Sequence, residues 1–148
     1  MRLEALLFDI DGTLIDSNDL HAQCWLEAFS NHGKEFAYDV IRNEMGKGGD
    51  LLVPDLLNAR EMRDLGEEIR KDRDRLFKEK YQPQIRPFPG VRQCFEALHG
   101  RGLKLALASS GSGEEVEYYT GLLGVGDLLV ATTSKDDAKF SKPSPEIL

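Results

Sequence analysis

Short apolar runs and helical patterns alternate along this chain. Near the N-terminus, residues 6–8 (LLF) form an apolar run typical of a strand inside a parallel sheet, and Asp9 and Asp11 follow it directly. Two later runs, LKLALA at 103–108 and LLVATT at 128–133, resemble it, and each follows a segment of helical pattern. This alternation predicts an α/β fold in which helices connect parallel strands.

Between the first two predicted strands, the apolar positions recur at helical spacing. Residues 60–81 are mostly charged, yet one helical face carries Met62, Leu65, Ile69, Leu76 and Phe77. Three prolines in the stretch PQIRPFPG then interrupt the pattern. We therefore predict one α/β layer from residues 1–15 and 87–148, with residues 16–86 as a helical insertion.

Composition and charge narrow the class of partner. The chain has 148 residues, a formal charge of −7 and a pI near 5.0, so its surface is not suited to nucleic acid or to an anionic membrane. It has no apolar stretch near the ~20 residues of a membrane helix, and its N-terminus lacks the order of a secretory signal. Cys24 and Cys94 match no metal or redox spacing. We expect a cytoplasmic protein that acts on small molecules, and its oligomeric state stays open.

The acids after the first strand are the first candidate site. Residues two apart in a strand project to the same side, so Asp9 and Asp11 can face one ligand. Paired carboxylates favour a hard cation such as Mg²⁺. Gly12 lets the backbone approach that ligand closely.

Polar groups also follow the second and third predicted strands. Ser109 offers a hydroxyl, and the Ser110–Gly111 backbone offers amides, a combination suited to phosphate oxygens. Lys142 follows the third strand and its loop. Because the carboxyl ends of parallel strands meet at one edge, we expect these groups to lie near the two acids.

With these motifs the chain resembles the haloacid dehalogenase superfamily of phosphohydrolases. The first family motif, Asp-x-Asp-Gly-Thr, matches residues 9–13; the second matches LALAS ending at Ser109; the third matches Lys142 in SKPSPE. The resemblance implies a Rossmann-like parallel-sheet core and a small helical cap. It places the chain among proteins similar to phosphoglycolate phosphatases and β-phosphoglucomutases.

The resemblance also implies a reaction. Asp9 would attack phosphorus and form an aspartyl-phosphate, while Asp11 would act as acid and then as base. Mg²⁺ would be held by Asp9 and by the Asp11 carbonyl, with Ser109 and Lys142 on the phosphoryl oxygens. An acid at position 11 favours phosphate esters over carbon–halogen bonds, and the expected substrate is a small phosphorylated metabolite such as phosphoglycolate or a sugar phosphate. The alternatives are a phosphosugar mutase and a non-catalytic module that binds phosphate or a partner.

Candidate substrate residues lie in the predicted cap. In the loop GKGGD, Lys47 with the amides of Gly48 and Gly49 would hold a substrate carboxylate or second phosphate; the alternative is a tight turn with a solvated lysine. His21 and Trp25 are shared with the similar sugar-phosphate mutases. Their alternatives are a capping or surface histidine and a core tryptophan.

The family's fourth motif, an acidic cluster after a further strand, has no counterpart in this sequence. The chain ends at PSPEIL soon after Lys142, so we predict a truncated form of a longer enzyme, with activity impaired by the loss. Asp136 and Asp137 could substitute as metal ligands, but they precede Lys142 in a loop, where we expect solvated carboxylates.

Overall fold

The computed structural model describes residues 3–137. They form two compact units: a core unit made of the chain up to Asp16 and from Arg86 onward, and a helical unit, Ser17–Ile85. In chain order the elements are β1 (Ala5–Phe8), β2 (Ile15–Asp16), α1 (Asn18–Asn31), α2 (Tyr38–Arg42), α3 (Gly49–Leu56), α4 (Ala59–Leu76), β3 (Arg86–Pro87), α5 (Val91–His99), β4 (Lys104–Ala108), α6 (Gly113–Leu123) and β5 (Leu129–Thr133).

The core unit contains a parallel sheet in the order β1-β4-β5. Helix α5 precedes β4 and helix α6 connects β4 to β5. The interior positions Leu105 and Leu107 of β4 are fully buried, because β4 is the central strand of the three. The predicted α/β fold with a parallel sheet is confirmed.

Strand β1 is less buried than its sequence predicts. Successive strand connections run in the same direction across the sheet, so the right-handed crossover rule places α5 and α6 on one face. On that face Phe8 contacts Phe95 of α5, with ring centroids 4.7 Å apart. On the opposite face, Leu7 keeps 44% of its surface exposed. The expectation that residues 6–8 are buried on both faces is therefore wrong within the described residues.

A short antiparallel pair marks where the chain leaves and re-enters the core unit. Ile15 of β2 pairs with Pro87 of β3, and Asp16 pairs with Arg86. The Phe88 amide extends this pairing by donating to the Leu14 carbonyl at 2.9 Å. The two crossing segments are thus tied to each other inside the core unit.

The helical unit is built mainly from α1 packed against α4. Helix α4 begins with a capping box, in which the Asn58 side chain accepts from the Glu61 amide and the Glu61 side chain accepts from the Asn58 amide. A single π-helical turn, Phe77–Tyr81, continues α4, and a 3₁₀ turn, Gln82–Gln84, ends the unit. Among the described residues, no helix has the length and apolar character needed to cross a bilayer.

Candidate active site

The acidic segment after β1 is a closed turn. Its anchor is Ile10, which is fully buried and whose carbonyl accepts from the amides of Thr13 (3.1 Å) and Leu14 (2.8 Å). Gly12 makes the turn possible because its φ of 71° lies in the left-handed region. Asp9 and Asp11 flank the buried Ile10, and the Asp9 side chain is exposed. This placement leaves both acids at the carboxyl end of β1.

Thr13 orients the first of these acids. Its hydroxyl donates to Asp9 Oδ2 at 3.2 Å. A carboxylate held by a neighbouring hydroxyl has fewer rotamers available, so it presents its oxygens in a defined direction. Thr13 therefore supports the predicted role of Asp9 without being an acid or base itself.

Ser109 lies at the end of β4, the strand that pairs with β1. It is 1% exposed, and its Oγ accepts a hydrogen bond of 3.0 Å from the Gly111 amide. A hydroxyl can accept and donate at the same time, so the Ser109 hydrogen can still be donated to another acceptor. The parallel register, with Phe8 opposite Leu107, brings Asp9 and Ser109 to neighbouring strand ends.

The Gly111 amide has a partner inside the loop. It donates to Ser109 Oγ, and its predicted binding of phosphate stays a prediction. A Cβ at position 111 would lie 3.2 Å from that oxygen and 2.8 Å from Glu115 Oε2, so it would force the Glu115 carboxylate to move. Gly111 therefore shapes the loop around Ser109, and its amide is engaged within the loop.

Ser110 carries a buried hydroxyl that has no hydrogen-bond partner among residues 3–137. Leaving such a group unsatisfied costs about 1–3 kcal/mol. The hydroxyl follows directly on Ser109, at the edge of the sheet where the acids lie. Such a hydroxyl commonly binds an ordered water or a ligand.

Carboxylates of the protein itself occupy the start of α6. The Ser112 amide donates to Glu115 Oε2 at 2.8 Å, and the Gly113 amide donates to Asp136 Oδ2 at 2.7 Å. The second carboxylate comes from the loop after β5. These two amides are thereby satisfied inside the protein.

Three hydrogen bonds join the loop after β4 to the end of β5 and its loop, and we call them the loop clasp. The Ser109 amide donates to Thr133 O (3.1 Å), the Lys135 amide to Gly111 O (2.9 Å), and the Gly113 amide to Asp136 Oδ2 (2.7 Å). The clasp fixes the segment that carries Ser109 and Ser110.

The two acids near the end of the described chain differ from the expectation. Both are exposed, but Asp137 Oδ2 accepts from the Ser134 amide at 2.8 Å and from its hydroxyl at 3.0 Å. Asp136 accepts a hydrogen bond in the loop clasp. Each of the two carboxylates therefore has a partner inside the protein besides solvent. Lys142 lies outside the described residues, so its predicted contact with phosphate stays a prediction.

The acids after β1 provide the donor chemistry for Mg²⁺. Within residues 3–137, no group of three or more His, Cys, Asp or Glu side chains is placed to hold a metal ion. Mg²⁺ usually takes one or two protein carboxylates and completes its octahedron with water and substrate phosphate. Asp9 and the Asp11 segment supply oxygen donors of this kind, so the residues present fit the ion.

Lys47, for which the sequence allows a substrate-binding or a solvated lysine, is paired with carboxylates of its own unit. Its ammonium forms ion pairs with Glu44 and, at 2.7 Å, with Asp55, so two carboxylates already balance its charge.

The two glycines that follow lie at the start of a helix. Gly48 precedes α3, and Gly49 begins it. A Cβ on Gly49 would lie 3.0 Å from the Trp25 ring, so a larger residue here would have to displace that ring. Trp25 itself is 6% exposed and lies in the core of the helical unit, as one of its two sequence interpretations expects.

Arg73 is a residue that the sequence analysis missed. Its Nη2 lies 2.8 Å from His21 Nδ1, and its guanidinium lies over the rings of Phe77 and Trp25 at 4.6 and 5.4 Å from their centroids. The sequence does contain a signal for it. On the apolar face of residues 60–81, position 73 falls where the helical period calls for a buried side chain.

Comparison with known proteins agrees with this geometry. The sequence model of the haloacid dehalogenase-like hydrolase family matches residues 3–148. The chain is 30% identical to a phosphorylated carbohydrates phosphatase of Thermotoga maritima over 98% of its own length and 67% of that protein. It is 27% identical to a phosphoglycolate phosphatase of Vibrio vulnificus, over 97% of this chain and 66% of that protein.

Comparison with solved structures also finds hydrolases. The crystal structure of a hydrolase from Pseudomonas syringae superposes with a TM-score of 0.77 at 26% identity, covering 97% of this chain and 67% of that one. The chain thus spans about two thirds of the length of these relatives. The predicted fold and the predicted class of enzyme, a hydrolase, are confirmed. This chain belongs to the haloacid dehalogenase-like hydrolase family.

Proposed function

We propose that the protein is a Mg²⁺-dependent phosphatase that hydrolyses a phosphate ester of a small metabolite. The observation that carries this proposal is the strand-end arrangement of Asp9 beside Ser109, with the buried Ser110 hydroxyl next to it. Oriented carboxylates and hydroxyl donors at the carboxyl edge of a parallel sheet suit a phosphoryl group. Two relatives, a phosphorylated carbohydrates phosphatase and a phosphoglycolate phosphatase, support this substrate class.

The proposed reaction has two steps. In the first, an oxygen of Asp9 attacks phosphorus, the bond to the ester oxygen breaks, and Asp11 gives that oxygen a proton. In the second, Asp11 takes a proton from water, whose oxygen displaces the Asp9 carboxylate and releases inorganic phosphate. Asp11 thus returns to its protonated form and Asp9 to its carboxylate.

The other residues of the site bind and orient. Thr13 holds the Asp9 carboxylate, while the hydroxyls of Ser109 and Ser110 donate to phosphoryl oxygens. The Asp9 carboxylate and the Asp11 carbonyl would hold Mg²⁺, which when bound supplies positive charge against the phosphate. Lys142 is proposed to bind a phosphoryl oxygen as well.

The choice of ester tests the role of Asp11. We expect D11N to slow phosphate release strongly from an alkyl phosphate such as phosphoglycolate, whose leaving oxygen needs a proton. The loss should be much smaller for p-nitrophenyl phosphate, whose leaving group is stable as an anion. Because the water step is the same for both esters, the comparison uses kcat/KM, which reports the first step; equal losses of kcat/KM on both esters would exclude Asp11 as the acid. Isomerised sugar phosphate without free phosphate would instead identify a mutase, and binding without turnover would identify a binding module.

We also propose a cytoplasmic location. Both cysteines are free thiols, Cys24 buried and Cys94 exposed, as expected in a reducing compartment. Cell fractionation with an antibody to the protein tests this; recovery in a secreted fraction would contradict it.

A further inference from the structure

A carboxylate of the protein itself lies at the turn between β4 and α6. A strand, a turn of serine and glycine, and a helix follow one another over residues 104–123. A turn of this kind usually offers its backbone amides to phosphate. Here the Gly113 amide donates instead to Asp136 Oδ2, at 2.7 Å. Asp136 has no part in the proposed reaction, so its presence at this turn calls for a reason.

The hydrogen bond brings a full negative charge to the turn. An amide is neutral, so it is satisfied by the Asp136 carboxylate without cancelling the carboxylate's charge. The N-terminus of a helix carries roughly half a positive elementary charge, which is less than the charge of one carboxylate. The first turn of α6 also contains the acids Glu114 and Glu115. The start of α6 is therefore negative in sum, whereas its amides alone would attract an anion.

This charge lies near the serines of the proposed phosphate site. Gly113 follows Ser110 by three residues, a stretch of at most about 11 Å. The loop that carries Asp136 is also bonded to this segment, because the Lys135 amide donates to the Gly111 carbonyl at 2.9 Å. Charges are screened over about 10 Å at 0.1 M salt and over about 30 Å at 0.01 M. At low ionic strength the Asp136 charge therefore acts on an anion bound at Ser110.

We propose that Asp136 lowers the affinity of the site for phosphate. Its carboxylate occupies the Gly113 amide and repels a phosphoryl group bound at Ser109 and Ser110. The inference rests on the proposed function for the place of that group. In a phosphatase the consequence is weaker retention of inorganic phosphate, which is the product and competes with the substrate. Asp136 thus sets the affinity for the anion and is neither an acid, a base nor a metal ligand.

Removal of the charge with the hydrogen-bond acceptor kept tests this proposal. D136N retains an oxygen for the Gly113 amide, and D136S offers a neutral hydroxyl oxygen if D136N does not fold. E117Q removes the same charge from an exposed position in a later turn of α6 and is the matched control. Calorimetric titration with inorganic phosphate at constant Mg²⁺, in about 0.01 M and about 0.5 M salt, measures the affinity of each protein.

We expect D136N to bind phosphate about two- to fivefold more tightly than the wild type at low salt, the range for one charge at a helix terminus. The difference should shrink at high salt, and E117Q should bind phosphate like the wild type. A purely structural role of Asp136 predicts the opposite sign, because a loosened loop would weaken binding. A role as a metal ligand predicts weaker binding as well.

Equal or weaker phosphate binding by D136N would overturn the proposal, and so would absence of binding in both proteins. A gain that persists at high salt, or an equal gain in E117Q, would contradict repulsion by this one charge. A wild type that binds phosphate but hydrolyses no ester would refute the proposed function. The comparison of D136N with the wild type would still decide the inference in that case.

Discussion

The Gly113 amide donates a hydrogen bond of 2.7 Å to Asp136 Oδ2, so helix α6 is capped by a carboxylate from the loop after the next strand. A carboxylate at a helix N-terminus satisfies an amide that the helix leaves open and interacts favourably with the helix dipole. This cap also forms one bond of the loop clasp beside Ser109. Its removal should therefore affect both stability and the phosphate site.

We predict that D136A lowers the free energy of unfolding by about 0.5–2 kcal/mol, the cost of losing a helix cap. D136N keeps an oxygen acceptor for the Gly113 amide and should lose less. Urea unfolding of the two variants and of the control E117Q, an exposed position of α6, provides the comparison. If D136A unfolds like the wild type, the cap does not stabilise the loop.

The neighbouring serines should separate stability from ligand binding. S110A removes a hydroxyl without a partner among the described residues, so we expect unchanged or higher stability with weaker binding of inorganic phosphate. S109A removes the acceptor of the Gly111 amide and should cost about 1–3 kcal/mol of stability as well. Denaturant unfolding and calorimetric titration with phosphate in the presence of Mg²⁺ measure the two effects. Unchanged phosphate affinity in S110A would remove Ser110 from the site.

Two glycines give opposite predictions for the same substitution. In G49A the new Cβ would lie 3.0 Å from the Trp25 ring, so the ring must move, and we expect a loss of about 1–3 kcal/mol. In G121A, inside α6, the Cβ meets nothing within 4 Å, and we expect a gain of about 0.5–1 kcal/mol from helix propensity. Thermal unfolding of both variants checks the pair. A G49A protein as stable as the wild type would show that Gly49 is not fixed by this contact.

The contact of Glu27 with Lys80 and Tyr81 should make stability depend on acidity. Hydrogen bonds from Lys80 and then from Tyr81 lower the pKa of the Glu27 carboxyl. The ordinary pKa of a glutamate carboxyl is about 4.3. A carboxyl whose pKa is lower than this in the folded state stabilises the protein at pH values above the ordinary pKa. This contribution is lost as the pH falls through the lowered pKa. Urea unfolding from about pH 6 downward should therefore show a weaker acid dependence in E27Q than in the wild type. Parallel pH profiles for the two proteins would contradict this assignment.

The fold was readable from the sequence because its signals are local. An apolar run that ends in Asp9, and two similar runs separated by helical patterns, are enough to predict parallel strands. The exposure of Leu7 could not be predicted from the sequence, because it depends on which faces of the sheet the helices cover. Local pattern specifies a strand, whereas its burial is a property of the packed layers.

The site was only partly predictable for a related reason. Residue types at the strand ends indicated Asp9 and Ser109, whose positions follow from the register. The engagement of the Gly111 amide depends on the Ser109 rotamer, and the interaction of Arg73 with His21 depends on how α1 packs on α4. Neither is encoded in a short motif. The predicted roles of Asp11 and Lys142 stay predictions.

The central claim is that Asp9 forms the bond to phosphorus, and the most direct test compares phosphate release by the wild type and D9N in the presence of Mg²⁺. D39N, at an exposed position of α2, is the matched control. The account predicts that D9N folds normally and loses activity by at least about a thousandfold, because the covalent step is lost. It also predicts that D39N is unaffected. Phosphate release by D9N close to the wild-type rate would contradict the account.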